Sequence, residues 1–340
     1  MEKPSLDKAK AGAMRFNTDS SQLEIYDGNQ WTGILSTSPE LQTGGTRGVF
    51  HGGGDPADPT LDVMDFITIS TTGNAADFGD LSSNRRNHSG CASRIRNFAM
   101  GGYSDSAGSV RNTVEASIFS SGGGSSSFCN LTAARYVACA GGNDIRGLFA
   151  GGHSPNAPTI VGTIDVFDTF SGTNAVDFGD LTVNRTDLGA SANRQRFVAI
   201  GGISPSKGNI IDFVTISTLG NAADFGDLTA VVSYPTITAS SSTRGVFCGI
   251  APSVSTVCNM IEYATLGNAV DFGDMTVSRN HGAAVSDCIR IAAGGGNVPG
   301  SRTDVIDFAS FSTGGTFIDY GDLTDVRSGL AAGSNGHGGL

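Results

Sequence analysis

Carboxylates at a fixed spacing are the first candidates for chemistry in this sequence of 340 residues. The run Asp77-Phe78-Gly79-Asp80-Leu81 returns as Asp177-Phe178-Gly179-Asp180-Leu181, Asp224-Phe225-Gly226-Asp227-Leu228, Asp271-Phe272-Gly273-Asp274-Met275 and Asp319-Tyr320-Gly321-Asp322-Leu323. Ten such side chains would suit calcium, which gathers hard oxygen ligands. Calcium loops, however, put their oxygens on alternate residues, whereas these aspartates flank an aromatic ring. The motif is read instead as a turn cap or as the partner of a nearby arginine, and no metal is assigned. The histidines His51, His88, His153, His281 and His337 show neither HxxxH nor His-Asp-Ser spacing, so they are expected in the core or in solvent. Cys91, Cys129, Cys139, Cys248, Cys258 and Cys288 include no CxxC and read as small buried thiols. For Cys248 and Cys258 the alternative is a disulfide across adjacent strands. Gly122-Gly123-Gly124-Ser125 precedes no helix and is a turn rather than a phosphate cradle. No catalytic residue and no cofactor site emerges, which predicts a protein that is not an enzyme.

The elements that carry these residues follow from composition and from internal repetition. Forty-nine glycines, a single tryptophan and 16% charged residues favour many short strands joined by tight turns over helices. The formal net charge of -11 repels phosphate backbones and anionic membrane faces, so nucleic acid is not expected as a partner. Met1 to Lys10 is charged, and no run approaches the ~20 apolar residues of a membrane helix, which predicts a soluble chain without secretion signal or membrane insertion.

A degenerate copy, Ser127-Phe128-Cys129-Asn130-Leu131, completes the series of motifs. Their last positions, 81, 131, 181, 228, 275 and 323, are 50, 50, 47, 47 and 48 residues apart, the length of a four-stranded blade. A second register sets Arg47, Arg96, Arg146, Arg196, Arg244 and Arg290 five residues before a glycine that closes an apolar run, usually as a Gly pair such as Gly52-Gly53. A third puts Arg85, Arg135, Arg185, Arg279 and Arg327 four residues past the Leu or Met, with Val232 as the exception. Each unit reads as four strands. The innermost is built of small residues, such as Ser89 to Ala92. The second runs into the Gly pair, the third carries an acidic-aromatic step (Asp65-Phe66, Asp212-Phe213, Glu262-Tyr263, Asp307-Phe308), and the outer one is the Asp-Phe-Gly-Asp run. Arg327 to Ser334 is a leftover innermost strand, and it is expected to complete the first unit, which lacks one.

This pattern resembles the kelch repeat family, with Phe78, Phe178, Phe225, Phe272 and Tyr320 where kelch blades commonly place Trp. The resemblance implies an all-β fold, a six-bladed kelch-like β-propeller over 46–340. Kelch-like propellers include copper oxidases and glycan-cleaving enzymes, but the His and Tyr cluster or arginine triad they use is not apparent here. The loops between second and third strands diverge between copies. Asp55, Asp58, His153, Asn156, Ser204, Lys207, Ser253 and Asn297 are the candidate recognition residues on that rim, with loop drift as the alternative.

Residues 1–35 stand outside the repeat and residues 36–45 read as a linker. Gly12 to Trp31 alternates apolar and polar residues around two turn signals and reads as a short β-hairpin. Its Gly12-Ala13-Met14-Arg15-Phe16-Asn17-Thr18-Asp19, Leu23-Glu24-Ile25-Tyr26-Asp27-Gly28 and Trp31 resemble a segment recurrent in bacteriophage tail fibres and other virion proteins. So short a piece cannot enclose a core. Met14, Phe16, Leu23, Ile25, Tyr26 and Trp31 must bury against the propeller, against another copy in a homo-oligomer, or against a neighbouring virion protein. The resemblance implies the last two, and with them a virion protein assembled in the host cytoplasm. Its propeller would bind a host-surface ligand, glycan or protein, or else pack on tail, neck or capsid neighbours as a purely structural part.

Overall fold

The computed structural model describes residues 10–17, 22–34, 46–105, 107–156 and 158–340. The expected linker lies outside them, and so do the side chains of Phe16 and Leu23. The chain divides into two compact units, Met1–Gln42 and Thr43–Leu340. Among the described residues there is no helix.

The first unit is a three-stranded antiparallel sheet of Met14–Asn17, Gln22–Tyr26 and Trp31–Ile34, one strand more than the expected hairpin. The third strand exists because Asp27 closes a side-chain turn. Its carboxylate accepts from the backbone N–H of Asn29 and Gln30, both at 2.8 Å, and reverses the chain so that Tyr26 faces Trp31. Arg15 pairs with Glu24 at 2.7 Å and lies 4.2 Å above the Trp31 ring.

The second unit is built from four-stranded antiparallel sheets, six among the described residues, as in a β-propeller-like fold. In the fourth, Gly189–Ala192, Arg196–Ile200, Gly208–Thr215 and Ala223–Val232 run from inner to outer edge. The first sheet draws its inner strand, Ala331–Ser334, from the far end of the unit. This strand pairs with Arg47–His51 from Ala331↔His51 to Ser334↔Gly48, as the leftover repeat piece predicts. The inner strands neighbour one another in a cycle that returns from Ala331–Ser334 to Ser89–Ala92. Small residues allow that approach.

The apolar core lies between sheets rather than within one. Phe197 of the fourth sheet packs with Cys139 and Leu148 of the third, Phe247 of the fifth with Val198 and Ile200 of the fourth, and Phe50 of the first with Ala283 and Val285 of the sixth. These phenylalanines are fully buried, and each contributes on the order of 2 kcal/mol by burial. The motif glycine serves the same seams. A Cβ on Gly179 would stand 2.4 Å from the Gly220 carbonyl oxygen, while Gly220 N–H donates to Phe178 O at 2.9 Å.

Both arginine registers bind neighbouring sheets. Arg47, Arg96, Arg146, Arg196, Arg244 and Arg290 donate to carbonyls of Phe119, Thr169, Ile216, Tyr263, Phe311 and Ser70, each one sheet onward, and the last returns to the first sheet. The other register is buried. Arg135 meets Asp165 at 2.7 Å, Arg185 meets Asp212 at 2.7 Å, Arg279 meets Asp307 at 3.0 Å, Arg327 meets Asp65 at 2.7 Å, and Arg85 meets Glu115. The acid therefore comes from the third strand of the following sheet and not from the Asp-Phe-Gly-Asp run. There the first aspartate caps its own turn, as where Asp177 accepts from Gly179 N–H at 3.1 Å.

The fifth sheet corrects one sequence reading. Register places Asn259 opposite Phe247, where Asp212 stands opposite Ala199, so Asn259-Met260 and not Glu262-Tyr263 is the equivalent step. Val232 replaces the arginine that would meet it, and buried Ile250 replaces the second glycine of the pair. One spot has thus lost both charges together. Beside it Cys248 and Cys258, paired in register, form a disulfide.

Candidate functional site

In every sheet the antiparallel order places the loop between second and third strands at the same end as the connection to the next sheet. The candidate loop residues accordingly share one rim, but most are occupied by their own loops. Asp55 accepts from Ala57 N–H at 2.7 Å and from Asp58 N–H, Asp58 accepts from Thr60 N–H at 3.0 Å, and Asn156 N–H donates to Ser154 Oγ at 3.2 Å. Lys207 donates to the Pro252 carbonyl of the next loop, beside exposed Ser253, and Ser204 N–H donates to Ser206 O at 2.9 Å. His153 and Asn297 differ, because both reach inward. The His153 ring lies 5.0 Å from that of Tyr136, and the Asn297 amide is 3.4 Å from His281 Nδ1.

Asn297 thereby touches a ring of six residues around the inner-strand cycle, Asn87, Val137, Asp187, Tyr234, His281 and Gly329, and His153 reaches Tyr136 beside it. Each is the sixth residue after the motif's Leu or Met. All six have positive φ, between 47° at Val137 and 67° at Gly329. Backbone bonds join five of the six successive pairs head to tail. Val137 N–H donates to Asn87 O at 2.8 Å, Asp187 N–H to Val137 O at 2.7 Å, Tyr234 N–H to Asp187 O at 3.0 Å, Gly329 N–H to His281 O at 2.8 Å and Asn87 N–H to Gly329 O at 2.8 Å. The backbone is conserved around the ring, while the side chains are amide, alkyl, carboxyl, phenol, imidazole and hydrogen.

No family model and no curated protein matches this chain. The site is therefore read from its own chemistry. Burial pushes the Asp187 carboxyl up to about 6, and the Thr186 hydroxyl offsets only part of that. Burial also raises the Tyr234 hydroxyl, with Asp187 and Tyr136 adding to it, and pulls His281 down to about 4. Beneath the ring, His51 Nδ1 and His88 Nε2 stand 2.8 Å apart. Burial drives His51 down to about 3 and His88 well below the ordinary imidazole range, so both rings are neutral at pH 7. His88 also lines a central cavity of about 110 Å³ along the inner strands. At the opposite end His337 contacts Ala92 O at 2.8 Å, Gly338 N–H donates to Ser240 O at 3.1 Å, and Arg194 donates to Leu340 O at 2.7 Å. That segment therefore crosses the cavity from the second sheet to the fifth.

Sequence reasoning treated His88 and His281 as ordinary core or solvent histidines and passed over Asn87, Asp187 and Tyr234. The available signal was divergence at one register position inside an otherwise repeated stretch.

The buried carboxyl gives a signed pH prediction. A raised folded-state pKa means that Asp187 favours the folded protein below about 4 and that this contribution is lost as pH rises through about 6. Asp187→Asn is expected to be the more stable protein at pH 7.5, by on the order of 2 kcal/mol, and to lose that advantage by pH 4. Urea denaturation of both proteins at the two pH values checks it. Lower stability of the variant at pH 7.5 would show that the carboxylate has a favourable partner.

Proposed function

We propose that the six sheets are blades of one kelch-like propeller and that the protein is a non-enzymatic bacteriophage virion component. It would be a tail fibre or other appendage that displays the propeller for binding the host surface. The N-terminal unit carries this reading. Its sequence resembles the recurrent virion segment, and its small sheet leaves Met14 66% exposed and the Trp31 indole N–H without an acceptor among the described residues. Three short strands with such unfinished apolar surface call for a neighbour, either a second copy or another virion protein.

A purely structural role draws support from the face opposite the ring. Ile95, Ile145 and Ile289 are exposed in the turns between inner and second strands, and Leu219 and Leu266 in those between third and outer strands. Such apolar residues suit packing against virion neighbours.

The test is assembly of particles with a chain lacking residues 1–45. That chain should keep the strand-rich circular dichroism of the full protein and be absent from purified particles. Normal incorporation would remove the docking claim. Purified full-length protein should also compete with particles for adsorption to susceptible cells, and failure to compete would favour the structural role.

A further inference from the structure

We propose that the buried His51–His88 pair is an acid-sensitive latch on the seam where the first sheet, completed by the closing strand Ala331–Ser334, meets the second. The latch goes beyond the proposed virion role and does not depend on it.

His51 is the last residue of its second strand, and His88 directly follows the positive-φ residue Asn87. The same two positions at the next three seams hold Met100 and Ala138, Ala150 and Leu188, and Ile200 and Pro235, all of them buried. Met100 and Ala138 share one apolar cluster, and Ala150 and Leu188 share another. Only the first seam has a histidine at both positions. Apolar side chains fill this place well, so a polar pair there gives up stability that its neighbours keep.

The closed seam has no place for an added proton. His51 is fully buried and His88 is 6% exposed, with His51 Nδ1 2.8 Å from His88 Nε2. One N–H lies in that bond, while His51 Nε2 and His88 Nδ1 have no hydrogen-bond partner among the described residues. A neutral pair therefore leaves one N–H without an acceptor, and a protonated pair leaves two. Backbone of both sheets closes on His88. A Cβ on Gly52 would stand 2.6 Å from His88 Cε1, and one on Gly102 would stand 2.6 Å from His88 Cβ.

The charged groups that face the pair are Arg327, Arg85 and Glu115, with Asn97 as the facing amide. Both guanidiniums oppose a further positive charge, and the carboxylates nearest them are already engaged, Asp65 by Arg327 and Glu115 by Arg85. Burial is the larger cause, and these cations add to it. The pair's contribution is thus fully present above the ordinary imidazole value of 6.5 and is lost as pH falls toward about 3, where His51 would charge in place. Opening the seam lets the rings charge. Its opening constant should rise about tenfold per pH unit for each imidazole, so that opening at pH 5 exceeds opening at pH 7 by about thirtyfold for one ring and by more for two.

Hydrogen exchange of the full-length protein at pH 7 and pH 5, corrected for intrinsic rates and read by mass spectrometry, tests the latch. Peptides covering Arg47–His51, Ser89–Ala92 and Ala331–Ser334 should lose protection by about thirtyfold or more at pH 5, while those covering Arg196–Ile200 in the fourth sheet stay within about threefold. His51→Met combined with His88→Ala, the residues of the second seam, should abolish that acid loss, and His281→Gln should leave it intact. Should the double variant not fold, imidazole proton–nitrogen NMR of the unaltered protein decides, with both rings expected to be neutral in the folded molecule at pH 5. Protection lost equally over all sheets, an acid loss that persists in the folded double variant, or either ring charged in the folded protein at pH 5 would overturn the proposal.

Discussion

Arg185→Val alone is expected to cost about 3–5 kcal/mol of stability, while the double variant R185V/D212N recovers at least half of that loss. Arg185 bonds to Asp212 at 2.7 Å and donates to the carbonyls of Gly201 at 2.7 Å and Ile210 at 3.0 Å, with arginine and aspartate both buried. Removing the cation leaves a carboxylate in the seam with Thr182 as its remaining side-chain donor, at 2.6 Å, and an uncompensated buried charge is what makes such single losses severe. The fifth sheet supplies the precedent for the double change. Val232 and Asn259 occupy the same two positions there, and Thr229 still reaches Asn259 at 2.8 Å. Removing both charges keeps the threonine contact and ends the desolvation problem. Urea denaturation of the two single variants and the double variant, read as a thermodynamic cycle, measures the coupling. Additive losses would show that the charge pair is not the element that binds the two sheets.

A chain ending at Gly329 is expected to lose on the order of 5 kcal/mol or more, a large share of an ordinary domain's stability, and to self-associate. The truncation removes Ala331–Ser334, leaving Arg47–His51 as an open edge. It also removes the Asn335 amide oxygen that accepts from Arg47 N–H at 2.8 Å, the Ser334 hydroxyl bond to Ser286 O at 2.8 Å, and the 337–340 crossing. Size-exclusion chromatography and thermal melting read the result. A peptide of residues 330–340 added in trans should restore part of the melting temperature by refilling the vacant strand position. A truncated chain that remains monomeric with unchanged melting would show that closure contributes little.

Both predictions concern positions that repetition made visible. The spacing of the Asp-Phe-Gly-Asp runs and of the arginines was sufficient to anticipate four-stranded units and the pairing of the leftover strand, because a repeated seam demands the same donor at the same place each time. The turn-capping role of the motif aspartates was legible for a similar reason, since it is satisfied within three residues. The arginine partners were not. They lie across the seam between sheets, and the acidic step nearest in pattern, Glu262-Tyr263, is four residues along the strand from Cys258, which the register sets opposite Cys248.

The ring of positive-φ residues shows the same division more sharply. Asn87, Val137, Asp187, Tyr234, His281 and Gly329 are about 50 residues apart in sequence, and none forms a motif with its chain neighbours. Sequence determined the repeated backbone, the small inner strands and the dispersed arginines, since those depend on local spacing and residue size. Tertiary structure alone decided which buried carboxylates are paired, which buried one has no cation among the described residues, and which six divergent positions meet around one opening. Convergence of that kind depends on how the sheets are arranged around a common centre, a relation that no stretch of chain encodes locally.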